Sequence, residues 1–141
     1  MNNVPNPDEM FQFVRTTFHA ARSDAAIVEK LNGMNTVLKV ITSDPESVLI
    51  IDTARQDAWQ GGLDDASDAT LRMSLEAANL FWQGELNLLA AMTRGVVRVQ
   101  GKKSALVRVL PIAAELFPLY VKTVKEAGRE DVLLEAARSR A

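Results

Sequence analysis

The sequence predicts an α+β fold in which helices cover one face of a single sheet. Three observations carry this. Strand-like segments are grouped in the middle of the chain, and helix-like segments are segregated from them. The stretch from Asp68 to Gly101 reads as strand, helix, helix, strand, with Gly84, Gly95 and Gly101 at its joints. From Lys103 onward the apolar period turns helical.

Each element has its own signal. Asp8, following Pro7, is placed to cap a first helix in which Phe11, Val14, Phe18 and Ala21 recur at near-helical spacing. Ser23 or Asp24 starts a second short helix carrying Ile27, Val28 and Leu31, stopped by Asn32 and Gly33. Two strands flank the turn Ser43-Asp44-Pro45-Glu46, with Leu38 and Val40 alternating with Lys39, and Leu49 and Ile51 with Asp52. Trp59 sits in a third, weaker strand before Gly61 and Gly62.

Ala69, Leu71 and Met73 then alternate with Thr70 and Arg72, as in a half-buried strand. Ser74 offers an N-cap with Glu76 in the first turn, and Gly84 ends the helix carrying Phe81 and Trp82. Asn87 caps a helix through Met92, closed by Gly95, and Val97 and Val99 alternate with Arg98 and Gln100 in the last strand.

Beyond Lys103, Leu106, Val109, Leu110, Ala113, Leu116, Phe117, Tyr120, Val121 and Val124 form a broad apolar stripe. Pro111 and Pro118 are expected to interrupt it, each opening a new segment as its first helical residue. The piece after Pro118 is then expected to act as a movable lid. Gly128 stops the run, so residues 1–128 read as the domain and 129–141 as a short, charged, helical tail.

At 141 residues the chain can bury about two thirds of the surface its unfolded form exposes. A net charge of −2 argues against nucleic acid as the main partner, because phosphate binding wants a positive surplus. The absence of cysteine excludes disulfides, thiolate catalysis and Cys-ligated metal. No signal peptide is legible at the start, and no window approaches the roughly 20 apolar residues of a membrane span. A cytoplasmic location is expected.

Candidate chemistry is sparse. His19 is the only histidine and stands between Phe18 and Ala20 on a predicted helix without visible partners, so it reads as a half-exposed helix residue. Asp64, Asp65 and Asp68 form the best loop for a hard cation, but Ala69 and Thr70 fall where a calcium loop needs a ligand and a glycine. No catalytic residue, metal or cofactor is expected. One charge pattern stands out: Arg94, Arg98, Lys102, Lys103 and Arg108 follow one another with no acid among them. They are candidate contacts to an anionic head group or membrane surface.

The strand pair TVLKVITSDPESVLIIDT, the segment DATLRMSLE, and WQGELNLLAAMTRGVVRVQG running into KSALVRVLPI resemble the sterol carrier protein type 2 domain family. Gly84, Asn87, Ala91, Met92, Gly95 and Gly101 stand where that family has its glycines, capping residue and small-residue–Met pair. Leu88 departs, where the family often has Pro. The resemblance spans Met10 to Gly128. The chain does not end in Ser-Lys-Leu, which points to a bacterial-type stand-alone member.

The resemblance implies a five-stranded sheet with an apolar tunnel between sheet and helices, and non-catalytic carriage of a fatty acid, fatty acyl-CoA, phospholipid or sterol-like lipid. Leu38, Val40, Leu49, Ile51, Leu71, Met73, Val97 and Val99 are expected to floor the tunnel. Phe81, Trp82, Leu89, Met92, Leu110, Leu116, Phe117 and Tyr120 are expected to roof it. The alternative is an accessory or scaffold protein that holds an isoprenoid or quinone precursor for partner enzymes. A partner enzyme or a second copy in a homodimer are the candidate protein partners.

Overall fold

Asn6, not Asp8, begins the first helix in the computed structural model, which describes residues 3–139. Pro7 occupies the first helical position of α1 (Pro7–Ala21), where its missing N–H costs nothing, so the cap falls one residue earlier. Asn6 accepts from the Glu9 amide at 2.8 Å and Glu9 accepts from the Asn6 amide at 3.0 Å. Asp24 caps α2 (Ala25–Met34) by accepting from the Ala26 and Ile27 amides. The helix runs through Asn32 and Gly33 and stops at Asn35, which takes the left-handed conformation that an asparagine tolerates.

The strands are β1 (Val37–Ser43), β2 (Ser47–Asp52), β3 (Asp57–Gln60), β4 (Ala69–Ser74) and β5 (Arg98–Gly101). They form one mixed five-stranded sheet in the order β3-β2-β1-β4-β5, parallel only between β1 and β4. Between β4 and β5 lie α3 (Leu75–Trp82) and α4 (Leu88–Thr93), capped by the Ser74 and Asn87 side chains as their positions predict. Val97 stays outside β5, because its amide bonds back to the Ala91 carbonyl at the end of α4. Gly101 pairs with Ala69 in a positive-φ conformation, and a Cβ there would lie 2.6 Å from the Asp68 carbonyl oxygen.

Strand alternation sorts the side chains. Leu38, Val40, Leu49, Ile51, Ala69, Leu71 and Met73 are buried with the helices in the main core. On the opposite face Ile41, Val48 and Ile50 form a smaller cluster with Val37 and Trp59. Lys39 reaches from that face to the Leu63 and Asp65 carbonyls at 2.7 Å each, so the loop after β3 folds back on the sheet.

The prolines do not break the last long helix. α5 (Lys103–Glu126) is continuous through both. Pro111 and Pro118 lie two turns apart on its exposed side. The carbonyls they leave unbonded, at Val107 and Ala114, belong to exposed residues of the same side and can be met by water. Leu116, Tyr120, Val121 and Val124 face inward instead and are buried against α1, with the Phe13 and Tyr120 rings edge to face at 6.2 Å. The stretch after Pro118 is therefore core rather than lid. Read as one helix, α5 is also long and apolar enough to cross a membrane, which the interrupted reading hid. Nine of its residues are buried in the domain.

The chain after Gly128 forms a 3-10 turn (Glu130–Val132) and α6 (Glu135–Ser139). Val132, Leu133 and Ala137 are buried there. Asn79 donates to the Val132 carbonyl at 2.8 Å, and Gln83 accepts from the Leu134 amide at 2.7 Å. Arg129 pairs with Glu9 and, at 2.9 Å, with Asp131. Arg140 and Ala141 of the expected tail lie outside the described residues.

Candidate ligand cavity

The sheet and the helices do not close on each other completely. Between them runs a narrow apolar cavity with about 50 Å³ of room for the centres of water-sized atoms. Leu38, Val40, Ile51, Leu71 and Met73 make its floor. Phe81, Trp82, Leu110 and Leu116 stand opposite, on α3 and α5. Thr53 is the one hydroxyl-bearing residue in a wall otherwise apolar or aromatic. Register fixes the direction of the floor: Thr53 bonds Thr36 just before β1, and Met73 pairs with Thr42 near its end. From Thr36 to Thr42 the strand rises about 20 Å.

Seven of the expected lining residues stand elsewhere. Leu49 is buried on the correct face but packs into the core without reaching the cavity. Leu89 is 53% exposed, because α4 turns Leu88 inward in its place. Met92 and Val99 are half-buried at the margin of the core, and Val97 is enclosed by the end of α4. Phe117 and Tyr120 form a second layer. Phe117 meets Phe81 edge to face at 5.3 Å, and Tyr120 stacks on Trp82 at 6.1 Å. The Tyr120 hydroxyl donates to Asn79 Oδ1 at 2.9 Å, and full burial pushes its pKa up, so the phenol stays protonated.

Other lining residues were not assigned to the site. Phe18, Leu31, Leu106, Val109 and Ala113 line the cavity from α1, α2 and α5. All five lie in apolar helical stripes, a signal that marks burial without separating cavity from core. Leu88, Ala78 and Thr53 complete the lining. Leu88 was visible only as a departure from a family proline, and nothing local marks the other two.

The basic residues divide by partner. Lys102 lies 3.8 Å from Asp68. Arg98 stands on the open sheet face directly opposite Arg72. Arg94, Lys103 and Arg108 are exposed and form no ion pair among the described residues. Residues 86–114 contain no acid, and they carry Leu89, Val96 and Val107, three of the four large apolar side chains that are exposed among the described residues.

The remaining polar groups serve the fold. His19 Nε2 lies 3.0 Å from Asp57 Oδ1, with Arg15 Nε 3.3 Å from the same oxygen, which ties α1 to β3. Desolvation would raise the Asp57 pKa, but the Ala58 amide, His19 and Arg15 together lower it. In the acidic loop Asp65 accepts from the Gly62 amide and Asp68 from the Val37 amide, each at 2.8 Å. No cluster of metal-ligating side chains occurs among the described residues.

No protein-family model and no curated protein sequence matches the chain. Solved structures do. The sterol carrier protein domain 2 of Helicoverpa armigera aligns with a TM-score of 0.61 at 16% identity, covering 82% of this chain and 94% of that one. The UbiJ-SCP2 ubiquinone synthesis protein aligns at 0.59 and 14%, covering 81% and 96%. Sterol carrier protein 2 from Aedes aegypti, solved in complex with palmitate, aligns at 0.50 and 21%, covering 64% and 89%. Sheet order, helix placement and these alignments agree: the chain has the sterol carrier protein type 2 fold.

Proposed function

We propose that the protein binds and carries a lipid with a long apolar chain, without transforming it. The observation that carries this is the cavity itself, a narrow gap between sheet and helices with almost no polar atom in its wall. Each CH₂ moved from water into such a wall contributes about 0.8 kcal/mol, offset by the cost of ordering chain and protein. A slot this narrow must widen to admit a chain. Its outer wall is α5, where Pro111 and Pro118 each omit a ladder hydrogen bond.

Fatty acids, fatty acyl-CoA, phospholipids and sterol-like lipids all fit the wall's chemistry, and the palmitate complex of the Aedes aegypti protein supports the first of these. Exchange with an anionic membrane is the matching role for the acid-free segment 86–114 and its exposed Leu89, Val96 and Val107. A second reading is a scaffold that holds an isoprenoid or quinone precursor for a partner enzyme. The likeness to a ubiquinone synthesis protein favours it.

Trp82 lines the cavity while Trp59 lies on the other face of the sheet, so Trp59→Phe leaves one reporter at the site. Titration of that variant with fatty acids of increasing length is expected to shift Trp82 emission saturably. Affinity should rise with chain length and level off once the floor is filled. If no fatty acid, acyl-CoA or isoprenoid alcohol saturates the signal, the carriage reading fails.

A further inference from the structure

At one end of the strands the apolar cavity and a polar groove share a wall. Met73 pairs with Thr42 where β4 and β1 end. It lines the cavity, and it also lines an open groove of about 500 Å³ on the other side. Arg72, Arg98, Ser43, Ser74 and the carboxylate-bearing Glu46 all line that groove.

Arg72 and Arg98 are paired residues of the antiparallel β4–β5 ladder, and both are exposed. Neither forms an ion pair among the described residues, and Glu46 is not within salt-bridge distance of either. Like charges directly opposite on a sheet repel, so this arrangement is unfavourable until an anion neutralises it. Two guanidinium forks side by side suit a carboxylate or phosphate, which each can hold through paired N–H donors. Ser74 Oγ accepts from the Ala77 amide at 3.0 Å, which leaves its own proton free to donate.

We infer that Arg72 and Arg98 clamp the oxyanion head, a carboxylate or phosphate, of an amphiphile whose chain lies in the cavity. The inference rests on the chain-binding reading above and names the ligand class within it. Met73 stands where the two compartments meet. Its side chain is buried on the helix-covered face while Arg72 beside it points to the open face, so the ligand must round the strand ends, where β4 runs past its last pairing with β5.

Four probes separate the terms: hexadecanoic acid, hexadecyl phosphate, hexadecanol and inorganic phosphate. They are titrated against the native chain, Arg72→Gln, Arg98→Gln and the double variant. The native chain should bind the acid and the alkyl phosphate about tenfold or more tighter than the alcohol, roughly 1.4 kcal/mol or more. That advantage should shrink as salt rises. Each single variant should lose part of it, and the double variant all of it, with alcohol binding unchanged and the thermal midpoint no lower than native.

Inorganic phosphate should bind far more weakly than hexadecyl phosphate; equal binding would mark a free-anion site and overturn the head-group assignment. Equal native affinity for acid and alcohol, or variants that keep the preference for the acid, would overturn the clamp and leave chain binding standing. Failure of the native chain to bind any of the three chained probes would remove chain binding and the clamp together.

Discussion

Arg129 joins the two ends of the described chain. Its guanidinium pairs with Glu9 in the first turn of α1 and with Asp131 two residues on. The Arg129 hydrogen bond is the main cause holding the Asp131 pKa down to about 2, with Asn3 second, and the same guanidinium lowers Glu9. Both carboxylates have folded pKa values below their unfolded ones. Their contribution is therefore present above the ordinary carboxylate pKa of about 4 and is lost as pH falls towards 2. Arg129→Gln is expected to flatten that part of the acid-unfolding curve, leaving the share due to Asp57. A curve as steep as native would show that the pairing contributes nothing. At this scale the sequence was legible where a side chain acts on its own neighbours, as Ser74 and Asn87 do in capping α3 and α4. It was illegible where the partner is distant. Tyr120 and Asn79 are 41 positions apart, so a residue that looked like cavity roof is instead half of a buried hydrogen bond.

The element that decides most is α5, which works on both sides. Its inner side supplies Leu106, Val109, Leu110, Ala113 and Leu116 to the cavity wall. Its outer side exposes Val107, Pro111, Ala114 and Pro118 in a line, with Lys103 and Arg108 nearby. In the proposed exchange with an anionic membrane, this apolar ridge with its unpaired positive charge would meet the head groups, each basic residue near them contributing about 1 kcal/mol. Lys103→Glu with Arg108→Glu should therefore weaken cosedimentation with phosphatidylserine-containing vesicles by about tenfold or more. Native association should fade with rising salt. Binding that is equal on neutral and anionic vesicles and indifferent to salt would return these residues to ordinary solvated surface. The sequence misled about this helix for a definite reason. Proline is a local breaker, but two prolines on the water-facing side of a helix leave its buried side intact. The periodic stripe from Leu106 to Val124 was the better guide, because burial against α1 and the sheet outweighs two missing hydrogen bonds.

Across the whole molecule, the architecture could be read before the cavity could. Alternation in Leu38–Val40 and Leu71–Met73, glycine joints and caps set the strands, helices and buried face, and the observed five-stranded sheet follows from them. The same alternation cannot say where helix and sheet stand slightly apart. That depends on small residues such as Ala78 and Ala113 and on the order of contacts across the sheet. So Leu49 and Val40, adjacent in register and equally apolar, fall respectively outside and inside the cavity wall. On the proposed function, this gap between the layers is a chain-binding site rather than a packing defect. The direct measurement is hexadecanoic acid binding to Ala113→Leu, a buried lining residue, beside Ala114→Leu, its exposed neighbour on the same helix. Filling the gap should leave Ala113→Leu at least as heat-stable as native while weakening the acid by about tenfold or more, since the added methylenes displace chain contacts, and Ala114→Leu should bind as native does. A well-folded Ala113→Leu that binds the acid with native affinity would show that the chain does not lie in this gap.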